Sequence, residues 1–164
     1  MKVAEIKGCD IADGYGVRVG LYVSGCSRKC RGCHNMQAQS FDYGKPFNRA
    51  VKEEILSLVG KPYCAGLSVL GGEPMEGDNR KTVISLCKEV KEKFPDKDIW
   101  MWTGYRYEEL LADETAREIF DYIDYVVDGP FVEEMKDLSL RFCGSSNQRI
   151  LKLHPMVEEL PNHN

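Results

Sequence analysis

Hydrophobic positions along the chain follow two alternating periods. Val17, Val19, Leu21 and Val23 recur at every second residue, the spacing of a β-strand, and Ser24-Gly25 ends the run. Phe47, Val51, Ile55, Leu58 and Val59 then recur at helical spacing until Gly60 and Pro62 stop the helix. The unit repeats. Leu67 to Leu70 is a short apolar run closed by Gly-Gly, followed by the helical stripe Val83, Ile84, Cys87, Val90 and Phe94, with Asp78 as the expected N-cap. Ile99 to Trp102 predicts a third strand, Tyr107 to Ile123 a helix broken near Asp113, Tyr125 to Val127 a fourth strand, and Ile150 to Leu153 an edge strand.

Strands and helices that alternate over short connections predict an α/β fold with a mostly parallel sheet and helices on the outside. Ligands of such folds bind beyond the carboxyl ends of the strands. Those ends read Ser24-Gly25-Cys26, Gly71-Gly72-Glu73-Pro74, Thr103-Gly104-Tyr105 and Asp128-Gly129-Pro130. Glycine at each permits close approach of a ligand, and equally suits a plain strand-to-helix turn. With no internal repeat or linker, residues 1–164 read as one domain, with 154–164 a loose tail.

Composition narrows the function classes. Forty-three per cent hydrophobic and 29% charged residues describe a chain that folds, and a net charge of −4 argues against general binding to nucleic acid. No apolar run reaches the roughly 18–20 residues of a membrane span; Ile99 to Trp102 is only strand-length. Seven cysteines are an odd number for a disulfide framework, and the first ten residues lack a secretory pattern, so a reducing, cytoplasmic setting is expected. Free thiols in that setting point to metal binding or catalysis.

Cys26, Cys30 and Cys33 form C-x3-C-x2-C just after a strand. Soft thiolates on one loop select soft metals or iron–sulfur clusters, and three ligands leave a coordination site open. Other readings stand beside this one. The cysteines could be small buried hydrophobes, although Arg28, Lys29 and Arg31 make the loop polar. His34 could close a zinc site. Cys30 to His34 also matches the C-x-x-C-H haem pattern, which leaves Cys26 unexplained.

Taken with the strand ends, C-x3-C-x2-C makes the chain resemble the radical S-adenosylmethionine (SAM) enzymes. Gly71-Gly72-Glu73-Pro74 looks like that family's motif for the SAM amino group. Trp102 to Tyr105, Val127 to Phe131 and Gly144 to Gln148 resemble the branch that activates anaerobic ribonucleoside-triphosphate reductase. The resemblance implies an open, partial (β/α) barrel, since a closed one takes roughly 250 residues. It also implies a [4Fe-4S] cluster on the three cysteines, with SAM on the open iron. Gly71, Gly72 and Glu73 would then hold the SAM ammonium, the backbone around Gly32 and His34 would lie near adenine, and Thr103 would be a weaker contact. Most radical SAM proteins carry an aromatic residue where this chain has Gly32, a departure shared with the activase branch. The implied activity is reductive cleavage of SAM to a 5′-deoxyadenosyl radical that takes the α-hydrogen of a glycine in the reductase. No acid–base catalytic residue is required.

Arg28, Lys29 and Arg31 suggest electrostatic steering of an acidic donor such as a flavodoxin, or simply a solvated loop. Cys87 reads as core, while Cys9, Cys64 and Cys143 have no assignable role. Asp128 would be a still weaker cofactor contact than Thr103, since Asp-Gly is also ordinary turn chemistry. A different radical SAM enzyme, or a metal or electron-transfer module without SAM turnover, remains an alternative.

Overall fold

The computed structural model describes residues 1–163. In chain order the strands are β1 (Lys2–Asp10), β2 (Arg18–Ser24), β3 (Lys45–Pro46), β4 (Gly66–Gly71), β5 (Asp98–Thr103), β6 (Tyr125–Asp128), β7 (Arg149–Lys152) and β8 (Glu158–Leu160). The helices are α1 (Arg49–Val59), α2 (Gly77–Lys93) and α3 (Tyr107–Ala112). All eight strands share one sheet in the order β3-β1-β2-β4-β5-β6-β7-β8. The middle four, β2-β4-β5-β6, are parallel, and the flanking pairs are antiparallel. β3 and β8 are the two edges and do not pair, so the sheet is open.

The expected strand-helix units lie in the parallel centre. Val19, Leu21, Val23, Leu67, Val69, Ile99, Met101 and Val126 belong to one core with the helical stripes Val51, Ile55, Val59 and Val83, Cys87, Val90. The opposite face of the sheet is buried too. There Trp100 stacks on Tyr125 and Trp102 at centroid distances of 4.3 and 5.6 Å, and Tyr15 and Phe142 meet it edge-on. β2 is therefore covered on both sides, although its period-two pattern marks only the face toward the helices.

Helix termini follow local chemistry. The Asn48 side chain accepts from the Val51 N–H at 3.0 Å and starts α1. Asp78, the expected cap of α2, lies inside the first turn. Glu76 holds the cap position without a side-chain cap bond, because its carboxylate accepts from the Ser27 N–H at 2.8 Å. α3 ends at Asp113, where the break was expected. Among the described residues, no helix is long and apolar enough to cross a membrane.

Three strands differ from the sequence pattern. β1 shows little alternation because register shifts between Val3 and Glu5 and between Lys7 and Asp10 interrupt its pairing with β2. β3 is two residues long. The tail from 154 onward, expected to be loose, contributes β8, which pairs with β7. β7 is thus an inner strand rather than the expected edge. Backbone hydrogen bonds dock the tail, including Arg141 N–H to the Asn162 carbonyl at 2.7 Å, so hydropathy carried no sign of it. Asn164 lies outside the described residues.

Arg18 closes the amino end of the parallel strands. Its side chain is fully buried, and its guanidinium donates to Ser68 Oγ at 2.7 Å and to the carbonyls of Tyr15, Leu67 and Asp98 at 3.0, 3.0 and 3.2 Å. The Asp98 carboxylate lies 2.6 Å away as counter-ion. One side chain thereby joins β2, β4, β5 and the loop before β2. Arg18→Met would leave these acceptors without their donor and should destabilise the fold by about 3–5 kcal/mol. A drop in the urea midpoint with an unchanged slope is the expected reading; an unchanged midpoint would count against this role.

Candidate functional site

The carboxyl ends of β2, β4, β5 and β6 open on one side of the sheet, and the turns after them border a single cavity of about 470 Å³. Close backbone packing shapes its floor. Gly71 has φ +112°, and a Cβ there would stand 2.6 Å from the Val23 backbone N and O. At Gly72 a Cβ would meet the carbonyls of Ala38 and Gly25 at 2.6 and 2.7 Å. The Gly72 N–H donates to the Val23 carbonyl at 2.7 Å and the Glu73 N–H to the Gly25 carbonyl at 2.9 Å. The Gly72 carbonyl accepts no hydrogen bond from any described residue.

Glu73 is 1% exposed. Its Oε1 accepts from the Met75 N–H at 3.0 Å and the Thr103 hydroxyl at 2.7 Å, while Oε2 accepts from the Gly104 N–H at 2.7 Å. Burial pushes the carboxyl above the usual carboxylate range, opposed by those three donors and by the Arg28 guanidinium. The carboxylate therefore ties the end of β4 to the end of β5. Asn79, also buried, donates to the Ser24 and Glu73 carbonyls at 2.9 and 3.0 Å, joining α2 to the ends of β2 and β4.

The cysteine loop is pinned to this floor. Gly25 and Cys26 donate through their N–H groups to the carbonyls of Ala38 and Gln39 at 2.8 and 3.1 Å. Positive φ at Gly25, Lys29 and Gly32 lets the segment between the cysteines curl. Cys26, Cys30 and Cys33 are free, half-buried thiols, and all three border the cavity. Burial raises the Cys26 thiol, and the N–H groups of Arg28 and Lys29, which favour the thiolate, oppose that shift. Among the described residues, no three His, Cys, Asp or Glu side chains converge as ligands of one ion.

The other expected site residues also border the cavity: Gly32, His34, Gly71, Gly72, Glu73 and Thr103. His34 is exposed. Gly32 has a structural reason to lack a side chain, since its φ is +68° and a Cβ would stand 2.7 Å from the Glu133 carboxylate. The basic loop residues divide three ways. Arg28 turns inward, Arg31 is paired with Glu133 and Glu134, and Lys29 is exposed. Two of the three cations in the suggested steering patch are thus engaged by carboxylates.

Asp128 is fully buried; it accepts from the Tyr107 N–H at 2.7 Å and pairs with Arg149, so it fixes the start of α3. Gln148 donates to the Gly129 carbonyl and accepts from the Gly144 N–H, and Asn147 donates to the Pro130 carbonyl, which clamps the far wall of the cavity. Cys87 is core and burial raises its thiol to about 12. Cys64 is buried and donates to the Gly66 carbonyl at 3.3 Å, and Cys9 is exposed. Cys143 borders the cavity with its thiol raised to about 11 by burial.

Comparisons with known proteins match most of the chain. The family model described as "4Fe-4S single cluster domain" matches residues 12–151. The anaerobic ribonucleoside-triphosphate reductase-activating protein of Pasteurella multocida (strain Pm70) is 41% identical over 145 residues, covering 87% of this chain and 92% of the relative. The protein of the same name from Enterobacteria phage T4 is 37% identical over 92% of this chain and 93% of its own length. That of Escherichia coli (strain K12) is 38% identical over 85% and 90%. The chain belongs to the 4Fe-4S single cluster domain family, among the anaerobic ribonucleoside-triphosphate reductase-activating proteins.

Proposed function

We propose that the chain is a radical SAM activase of an anaerobic ribonucleoside-triphosphate reductase. The observation that carries this reading is the meeting of three motifs on one cavity: Cys26, Cys30 and Cys33 on the loop after β2, Gly71 to Glu73 after β4, and Thr103-Gly104 after β5. The residues fit the cofactors. Cys26, Cys30 and Cys33 would hold a [4Fe-4S] cluster, whose cube takes its thiolates at separate corners and so does not need the convergence that one zinc ion demands. The unpartnered Gly72 carbonyl and the Glu73 carboxylate suit the ammonium of SAM. When bound, the cluster and SAM supply one-electron cleavage of a carbon–sulfur bond and hence a 5′-deoxyadenosyl radical, which takes hydrogen from a glycine of the reductase.

The chain's own residues position and shelter this chemistry. The Gly71-Gly72 backbone lets the floor approach the cysteine loop, and Gly32 and His34 border the space suited to adenine. We read the open sheet as a partial barrel whose unclosed side admits the reductase's glycine loop. The partner would then complete the exclusion of water. An acidic donor such as a flavodoxin is the proposed electron source, in a reducing cytoplasm that suits seven unpaired thiols.

With the cluster reconstituted and reduced anaerobically, the wild type should form 5′-deoxyadenosine from SAM and place a glycyl radical, read by electron paramagnetic resonance, on the reductase. Cys26→Ala, Cys30→Ala and Cys33→Ala should each lose iron, sulfide and product, while Cys9→Ser keeps all three. A fully loaded wild type that yields no 5′-deoxyadenosine with several reductants would overturn the reading.

Glu73→Gln places an amide where three donors now meet a carboxylate. It should cost about 1–3 kcal/mol of stability and weaken SAM binding. Urea unfolding and equilibrium binding measure the two effects; a variant equal to wild type in both would remove Glu73 from the site.

A further inference from the structure

β2 and β6 are separated in the sheet by β4 and β5, yet the loops that follow them meet. Cys30, Gly32 and Cys33 border the cavity from the first loop, and Phe131, Lys136 and Leu138 from the second. Between these two walls stands Arg31, paired with Glu133 and, at 3.5 Å, with Glu134. Among the described residues this is the sole hydrogen-bonded or ionic tie between residues 26–33 and residues 129–148.

The contact is shaped from both sides. Gly32, with φ +68°, leaves the gap that Glu133 fills, since a Cβ there would stand 2.7 Å from its carboxylate. Glu133 and Glu134 are consecutive in one short helical turn, and both reach the same guanidinium.

The cavity is thereby ringed. The ladders of β2, β4, β5 and β6 close it on one side, and Arg31 closes it on the other. The two closures differ in strength. A sheet ladder opens only with the fold, whereas Arg31 is 80% exposed and Glu134 66%. Ion pairs so exposed to water contribute at most about fivefold to an equilibrium constant. Opening this one frees no strand, because all three residues lie outside the sheet.

We propose that Arg31, Glu133 and Glu134 form a clasp across the cavity mouth, closed in the free chain and opened by the protein substrate as it docks. The inference rests on the activase reading for the identity of that substrate. A clasp this weak is already open in a minority of molecules, so the substrate binds the open form and draws the rest toward it. Closed, the clasp limits what reaches the cysteine loop before the partner arrives.

The two Trp of the chain supply the test. Trp102 borders the cavity and Trp100 is fully buried, so quenching of tryptophan fluorescence by acrylamide, a neutral solute, reports entry into the cavity. Arg31→Gln and Glu133→Gln change the charge in opposite directions, yet in reconstituted protein of matched iron content each should raise the quenching slope about two- to fivefold. In about 1 M potassium chloride the unsubstituted chain should rise toward the variants. Arg31→Glu combined with Glu133→Arg should bring the slope back toward wild type. Slopes that stay at the wild-type value, or that move in opposite directions in the two single variants, would overturn the clasp. Arg31→Gln should also bind the reductase about two- to fivefold more tightly, because no closed form competes. Equal or weaker binding would overturn the substrate's part in opening. A reductase that binds no form of the chain would sink the activase reading, while the quenching result would still decide the clasp.

Discussion

The site depends on one buried carboxylate. Taking a carboxylate out of water costs several kcal/mol unless donors surround it. Glu73 meets that condition only because the end of β5 brings the Thr103 hydroxyl and the Gly104 N–H to it and its own turn supplies the Met75 N–H. The same residue's backbone N–H binds the Gly25 carbonyl, and its carbonyl accepts from Asn79. A displaced Glu73 would therefore loosen the turns after β4 and β5 and their hold on the cysteine loop, while the strand ladder between β4 and β5 remains. That loop contains the three thiols, so the geometry of the cluster site rests on a group that is not among its expected ligands.

Arg18 and Glu73 are opposite solutions at opposite ends of the parallel strands. Arg18 fills its end: buried guanidinium, four hydrogen-bond acceptors and a counter-ion leave no room for a ligand. Above it the stacked Trp100, Trp102 and Tyr125 continue the packing. At the other end, bare glycine backbone and a partly engaged ion pair leave space. Parallel strands put every carboxyl end on the same side, so one face of the fold carries stability and the other is free for chemistry.

What the sequence made legible follows from how each contact is encoded. The helices α1 and α2, the parallel centre and the cysteine spacing rest on local patterns, and all lie close to where they were expected. Arg18 could not be read, because a charged residue at the start of a strand looks like a solvated boundary until β4 and β5 supply its acceptors. β1 was hidden by its register shifts, and β8 by docking through backbone hydrogen bonds instead of an apolar stripe. Asp78 was the better cap by residue type, but Glu76 had a tertiary partner in Ser27. Arg28 beside Lys29 and Arg31 looked like one basic patch; only the fold separates the three, by placing Glu73 and Tyr105 next to the first and Glu133 next to the third.

The motifs also divide by position. Those shared with the wider radical SAM resemblance, the cysteines and Gly71 to Glu73, make the floor on which a cofactor would sit. Of those that resemble the activase branch, Thr103 and Gly104 bind the Glu73 carboxylate of that floor, and the others build what stands around it. Trp102 packs under the cavity and donates to the Phe142 carbonyl, while Asn147 and Gln148 brace the turn at Gly129-Pro130. That brace holds the segment from Glu133 to Cys143, whose Leu138 is 90% exposed at the cavity rim. Under the proposed activase function, a protein substrate could cover that side chain. On the proposed activase reading, the floor would serve the cofactor and the segment around Leu138 the partner.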